Sequence, residues 1–337
     1  MNTPFFSIII PAFNAVRYLQ ETIDSVCAQT DKDWELLIVD DGSTDNTRMV
    51  VEGYHDTRIS YFYQNNQGQS VARNNGLNHA RGRYVTFLDA DNILLSHACE
   101  RVRKEILRDN AHDVYYGDLR YFDVRKPKEL LKFTMHYIPK ITLRGLIEHN
   151  TINLLGTFIK RDLLVLHGAF NDAFRRSDEQ YLWISLIFHD ARFFYIDEVM
   201  GHLRFHMTNL SFEPHYLLET AETNLTMFAW LQEECAKKYV GKTFIVLCEA
   251  IERATETWLL KRCIGALMIQ QKTEAISSLR RWGLHAKRSP FIIAILVCGI
   301  RLCPSLLFPP VFSFVRMKMI MRKYVIVPSP RSQFFVA

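Results

Sequence analysis

Apolar strands and helical stretches alternate through the first 95 residues, and that rhythm constrains the fold more than any other feature of the chain. FFSIIIPAF reads as a first strand, closed by Pro11. From Ala15 to Gln29 a helix follows, with Val16, Leu19, Ile23 and Val26 on one stripe. DWELLIVDD (33–41) is a second strand, and GSTDNTRMVVEGY is a helix opened by glycine and cap-forming residues. ISYFYQN (59–65) is a third strand, QSVARNNGLNHARG (69–82) a third helix stopped by Gly82, and RYVTFLDAD a fourth strand. Such alternation predicts an α/β fold, a mostly parallel mixed sheet with helices on both faces. Ligands of such sheets bind beyond the carboxyl ends of the strands. Asp40, Asp41, Asp89 and Asp91 all fall there.

The fourth strand runs straight into TFLDADN (86–92), with two carboxylates two positions apart. An extended segment puts both side chains on one side, where they repel unless a positive charge lies between them. A strand-end turn is the alternative, since Asp and Asn are ordinary turn formers. Beyond this point a helix is expected over 97–110 and a strand over 113–123. A mixed region at 124–176 holds a polar loop, TLRGLIEHN and a short strand at GTFIK. A buried helix is expected at 181–190 and two short strands at 191–206. Beyond Pro214 the texture changes to long helical runs, roughly 216–238 and 243–280.

Hydrophobic residues at 48% and charged residues at 23% exclude a disordered chain. Seven cysteines lie scattered without C-x-x-C pairs, as in a reducing compartment, and the N-terminus lacks the basic region of a secretory signal. Residues 281–337 carry nine Lys/Arg and no Asp/Glu, so the rest of the chain is mildly acidic. That distribution points away from a nucleic-acid enzyme, whose basic patches should surround the working site. The apolar stretch 291–315 is broken by Arg301, Pro304, Pro309 and Pro310, which disfavours one clean spanning helix, and VRMKMIMRKY follows it. The expectation is a cytoplasmic protein held peripherally on the inner face of the cell membrane by residues 286–337. Packing of the tail onto the domain or a partner, or a true span, are the alternatives.

A dinucleotide fold would need G-x-G-x-x-G after the first strand, where PAFNAV stands, and no Walker A loop occurs. The strand-end residues suit another ligand. Asp41 offers a fixed acceptor to a nucleobase and Asp89 one to a ribose. Asp91, with Asp89, can hold Mg2+ or Mn2+ against a diphosphate.

In these residues the chain resembles the inverting family 2 glycosyltransferases of GT-A-type fold. SIIIPAFNAVRYLQETIDSVCAQT, WELLIVDDGSTDNT and NQGQSVARNNGLNHARGRYVTFLDADN carry the resemblance, in that order, over about the first 95 residues. It implies a donor site formed by Pro11, Phe13, Asn14, Asp41, Arg73, Asp89 and Arg204, with Asp91, Asp89 and His206 toward the metal. FNDAFRRSDEQYLW looks like the family's phrase carrying the catalytic base, with the two acids in inverted order. Glu179 is favoured over Asp178, although both also suit an N-terminal helix turn. His206 is equally a buried, hydrogen-bonded histidine, and Trp183 reads as core rather than as a platform for an acceptor. The implied activity is metal-dependent, inverting transfer of a sugar from a nucleotide diphosphate, UDP favoured, to a saccharide hydroxyl, which a lipid carrier could hold. A non-catalytic sugar-nucleotide or glycan-binding relative is the alternative. A glycosidase is disfavoured because a hydrolase has no need of a nucleotide site. The expected division is 1–212 catalytic (1–95 nucleotide-binding, 96–212 acceptor), then a helical extension at 213–285 and the tail at 286–337.

Overall fold

The computed structural model describes residues 3–123, 130–135, 141–148, 152–205, 214–269 and 271–285. In chain order the first half comprises β1 (Phe6–Ala12), α1 (Leu19–Cys27), β2 (Trp34–Asp40), α2 (Thr47–Glu52), β3 (Ile59–Tyr63), α3 (Gln69–His79), β4 (Tyr84–Phe87), β5 (Ile93–Leu94) and α4 (Ala98–Arg108). There follow β6 (Val114–Asp123), β7 (Leu130–Met135), α5 (Leu143–Glu148), β8 (Thr157–Lys160), α6 (Arg161–His167), a 3-10 turn at Asp172–Phe174, α7 (Asp178–Phe188) and β9 (Phe193–Phe205). Three helices complete the described chain: α8 (Pro214–Lys238), α9 (Gly241–Met268) and α10 (Lys272–His285).

The strands form one mixed sheet in the order β3-β2-β1-β4-β8-β6-β9-β5, with β7 beside β6. β3, β2, β1 and β4 run parallel, whereas β8 is antiparallel to both β4 and β6. Every residue of β1, β2 and β4 is buried, so both faces of this part are covered. One cover is α3, which approaches so closely that a Cβ on Gly76 would lie 2.4 Å from Ile9 Cγ2.

Chain order places the functional end. After β3 the chain crosses back to lay β4 on the other side of β1, so the strand order reverses between β1 and β4. Pro11 does not close β1, which continues to Ala12 opposite Asp40. Ile9 C=O still accepts from Leu88 N–H at 2.9 Å, but the paired register with β4 stops at Ile9. Pro11 points the same way as Ile9, so its missing N–H falls where β4 has already left. In sheets of this kind such a reversal of strand order defines a crevice at the strand ends.

Several elements differ from the sequence expectation. Val16 precedes α1 and is 40% exposed, while Leu19, Ile23 and Val26 are buried as the stripe requires. The two strands expected at 191–206 are one strand, β9, whose register against β6 slips on either side of Asp118. A Cβ on Gly117 would lie 2.4 Å from Met200 Cγ, so only glycine admits this bulge. The helical run at 243–280 is two helices, α9 and α10. One apolar core runs from Phe6 in β1 to Ala254 in α9, so α8 and α9 share the core of the sheet.

Candidate active site

The loops that follow β1 and β2 are stitched together across the crevice. Asn14 and Ala15 N–H donate to Ser43 Oγ and Thr47 Oγ1, both at 2.8 Å, and Val16 N–H donates to Asp45 Oδ2 at 3.2 Å. Asn14 Oδ1 accepts in return from Thr44 N–H at 2.9 Å. The turn needs Asn14 at φ 49°, a left-handed conformation that asparagine tolerates. Phe13, beside it, is 52% exposed at the crevice, whereas Pro11 is buried in the strand.

The two acids after β2 have different partners. Asp40 is buried, accepting from Ser43 N–H at 2.8 Å and from the Tyr61 hydroxyl at 2.6 Å. Asp41, also buried, accepts from Gln64 Nε2 at 2.7 Å and from the N–H groups of Gln67 and Gly68 at 2.9 and 2.8 Å. It thereby fixes the loop leading into α3. Gly42 between the two loops has φ +83°, and a Cβ there would lie 2.8 Å from Asn66 N.

Residues 89–92 form a turn, with Asn92 N–H donating to Asp89 C=O at 3.0 Å, so the extended reading of TFLDADN gives way to the turn. Arg73, whose side chain is only 2% exposed, reaches from α3 to two carboxylates: Nη2 lies 2.7 Å from Asp89 Oδ1 and Nη1 2.7 Å from Asp178 Oδ2. Ser70 Oγ donates to the same Asp178 oxygen at 2.9 Å, and Gln69 Nε2 to Asp89 Oδ1 at 2.9 Å. One turn further on, Asn74 exchanges two hydrogen bonds with the Phe170 backbone, at 2.8 and 3.1 Å. A single helix face, residues 70, 73 and 74, thus ties the first half of the chain to the second.

The electrostatics follow from that sharing. Burial works against the Arg73 charge, but the Asp178, Asp89 and Glu179 carboxylates overcome it and hold its pKa up. Burial raises the Asp89 carboxyl; Arg73 opposes this, and the charge of Asp91 adds to it. Asp178 is consumed by Arg73 and Ser70 and by the Glu179 N–H at 3.0 Å. Glu179 is the more exposed of the pair. Tyr216, from the first turn of α8, lies close enough to feel both acids: burial first, then Asp178 and Glu179, push its hydroxyl up to about 12.

Arg204 approaches the turn from behind. Its Nε donates to Asp91 C=O at 2.6 Å, its N–H to Asn92 Oδ1 at 3.0 Å, and Nη2 pairs with Glu21 at 2.6 Å. The Tyr18 and Phe122 ring centroids lie 4.4 and 4.7 Å from its guanidinium carbon. Trp183 is fully buried, with Nε1 donating to Ile152 C=O at 3.0 Å, as a core residue. His206 lies outside the described residues.

Sequence reading missed Ser70, Glu21 and Tyr216. Ser70 was within reach, lying three residues before Arg73 on one helix face, but Glu21 and Tyr216 meet the site only through long-range contacts. Among the described residues no three His, Cys, Asp or Glu side chains converge as a metal cage. Two carboxylates nonetheless fit a hard divalent ion, which commonly takes one or two from the protein and completes its shell with substrate phosphate and water. The raised Asp89 and its neighbour Asp91 offer that pair.

Known proteins resemble this chain in sequence and in fold. The family model described as "Glycosyl transferase family 2" matches residues 7–164. The chain is 34% identical over 188 residues to the UDP-Glc:alpha-D-GlcNAc-diphosphoundecaprenol beta-1,3-glucosyltransferase WfgD of Escherichia coli, covering 56% of this chain and 71% of that one. S. aureus TarS 1-349 in complex with UDP-GlcNAc superposes with a TM-score of 0.60 at 18% identity, covering 94% of this chain and 88% of that one. The mannosyltransferase PcManGT of Pyrobaculum calidifontis, in complex with GDP-Man and Mn2+, does so at 0.56 and 17%, covering 96% and 86%. The solved structures share the fold, and the sequence match reaches further: this chain belongs to glycosyltransferase family 2.

Proposed function

We propose that the chain is a metal-dependent inverting transferase that moves a hexose or N-acetylhexosamine from a UDP-sugar to a saccharide hydroxyl on a lipid-diphosphate carrier, in the assembly of a bacterial surface glycan. The observation that carries this reading is the Arg73 bridge. It brings the Asp89–Asp91 turn, which suits a diphosphate and its metal, beside a second pair of acids at the start of α7. A UDP-sugar and a lipid-linked acceptor are suggested by the name of the 34% identical relative and by the UDP-GlcNAc complex of the structural neighbour.

In this reading the donor base lies against Asp41 and the stitched loops at Phe13 and Asn14, and its ribose against Asp89. Asp91, with Asp89, would hold Mn2+ or Mg2+, which would supply positive charge against the departing diphosphate. Glu179 accepts the proton of the attacking acceptor hydroxyl, because Asp178 is already engaged by Arg73 and Ser70. Inversion follows from attack on the face opposite the diphosphate. Arg204 acts on the metal turn through the Asp91 backbone rather than on phosphate. Residues 1–95 serve the donor, 96–212 the acceptor, and the basic tail, which lies outside the described residues, rests on an anionic membrane surface. Among the described residues no helix is long and apolar enough to cross a membrane.

Titration calorimetry with UDP-, GDP- and CDP-sugars, each with and without Mn2+, tests the reading. The expected result is metal-dependent binding of a UDP-sugar by the wild type. Asp91→Ala is expected to abolish both that binding and release of the nucleoside diphosphate. Full turnover by Asp91→Ala would overturn the metal assignment.

A further inference from the structure

Arg175, Arg176, Glu219, Glu222 and Thr223 line a cleft of ≈ 410 Å3 between the turn that leads into α7 and the first turns of α8. Its position follows from the chain, since Asp178 and Glu179 come directly after Arg175, Arg176 and Ser177. Its walls are fastened together. Asn224 Nδ2 donates to Ser177 Oγ at 2.6 Å in the buried interior, and Arg176 pairs with Glu219 at 2.7 Å. The Arg176 guanidinium lies 5.0 Å from the Tyr216 ring centroid, and Tyr216 in turn lies within electrostatic reach of the α7 acids. The cleft therefore adjoins the start of α7, where the proposed base follows Ser177 by two residues.

The charges of the cleft select its occupant. Glu219 matches Arg176, Arg262 lies 3.0 Å from Glu222, and Asp172 lies 3.8 Å from Arg175. Arg262 also pairs with Glu274, so three arginines meet four acids, and guanidinium donors and carboxylate acceptors line the space together. A diphosphate brought here would meet Glu219 and Glu222 at close range. A neutral sugar ring meets donors and acceptors together, which is what hydroxyls require.

We propose that this cleft is the subsite for the acceptor's sugar: it takes an uncharged hexose or N-acetylhexosamine ring, turns one hydroxyl toward Glu179, and leaves a carrier's diphosphate outside. This rests on the transferase reading above. The test uses the full chain, Thr223→Trp to fill the cleft from a helix surface, and Arg175→Ala to remove one donor from its wall. The probes are methyl glycosides of glucose, galactose, GlcNAc and GalNAc, decyl diphosphate, and GlcNAc joined to decyl diphosphate. Saturation-transfer NMR is expected to detect at least one glycoside on the wild type and to lose it in Thr223→Trp, with decyl diphosphate unaffected. With the joined probe, acceptor KM is expected to rise about tenfold or more, roughly 1.4 kcal/mol. UDP-sugar affinity and melting temperature stay at wild-type values in both variants. Absence of glycoside binding to the wild type would overturn the proposal. So would an acceptor KM within about twofold of wild type in both variants, or loss of decyl diphosphate in place of the glycoside. Failure of the transferase reading itself looks different, because the wild type then binds no nucleotide sugar.

Discussion

At the scale of single residues, the division of labour between Asp178 and Glu179 is the sharpest consequence of the geometry. Glu179→Gln removes the proposed proton acceptor, so kcat is expected to fall by about 10²–10⁴-fold with donor affinity unchanged. Asp178→Asn leaves the buried Arg73 with a single carboxylate, and its main effect is expected in a lowered melting temperature. Asp89 gives a prediction in pH. A carboxyl whose native pKa is raised binds its proton more tightly in the folded state. The stability it contributes is present below the ordinary carboxylate range, roughly pH 4, and is lost as the pH rises through its native value. Ionised Asp89 therefore contributes less at neutral pH than its protonated form does in acid. In the metal-free protein the melting temperature of Asp89→Asn is expected to gain on that of the wild type as the pH rises from acid to neutral, although the variant leaves Arg73 with Asp178 alone. Transfer activity falls in the same variant. A thermal scan across pH that shows no such relative gain would remove the basis for Asp89 as a strained donor-site acid.

At the scale of elements, α3 carries the most consequence because three of its residues dock the second half while Gly76 sets its distance from β1. Gly76→Ala drives a methyl into Ile9 and is expected to cost about 1–3 kcal/mol, read by urea unfolding, with activity falling as α3 is displaced. The same scale shows how much was legible beforehand. β1, β2, β3 and β4 follow from apolar runs whose pattern agrees with their place in the sheet, although β1 runs on past Pro11 to Ala12. β5 is two residues long and exists through pairing with His202 and Gly201, contacts that no local pattern encodes. β9 reads as two strands because the bulged residues opposite Asp118 interrupt the alternation. The break between α9 and α10 has neither Gly nor Pro at 269–271 to announce it. In the site, the DAD turn and the two acids of α7 were visible as residues. That Arg73 joins Asp89 to Asp178 was not, since they lie 16 and 105 positions from it.

At the scale of the whole molecule, the shared core means that α8 and α9 are part of what holds the site. Asn224 is fastened to Ser177 at the start of α7, and Arg253 pairs with Glu148 at 2.7 Å. The tail stands apart in charge, with nine basic residues and no acid over 281–337. Flotation with phosphatidylglycerol vesicles is expected to carry the full chain upward at low salt and to lose it at high salt, while a chain ending at residue 285 stays at the bottom. Equal flotation of the two would assign any membrane contact to the folded part.

The guanidinium that spans the crevice also bears on engineering. Exchanging donor specificity among relatives by splicing one protein's opening segment onto another's remainder assumes that the two parts are interchangeable. Arg73 makes them a matched set: a hybrid joined between residues 96 and 177 inherits a cation that needs an acid from the incoming sequence at position 178. Such grafts are best chosen for that pairing before any resemblance in the sugar pocket is weighed.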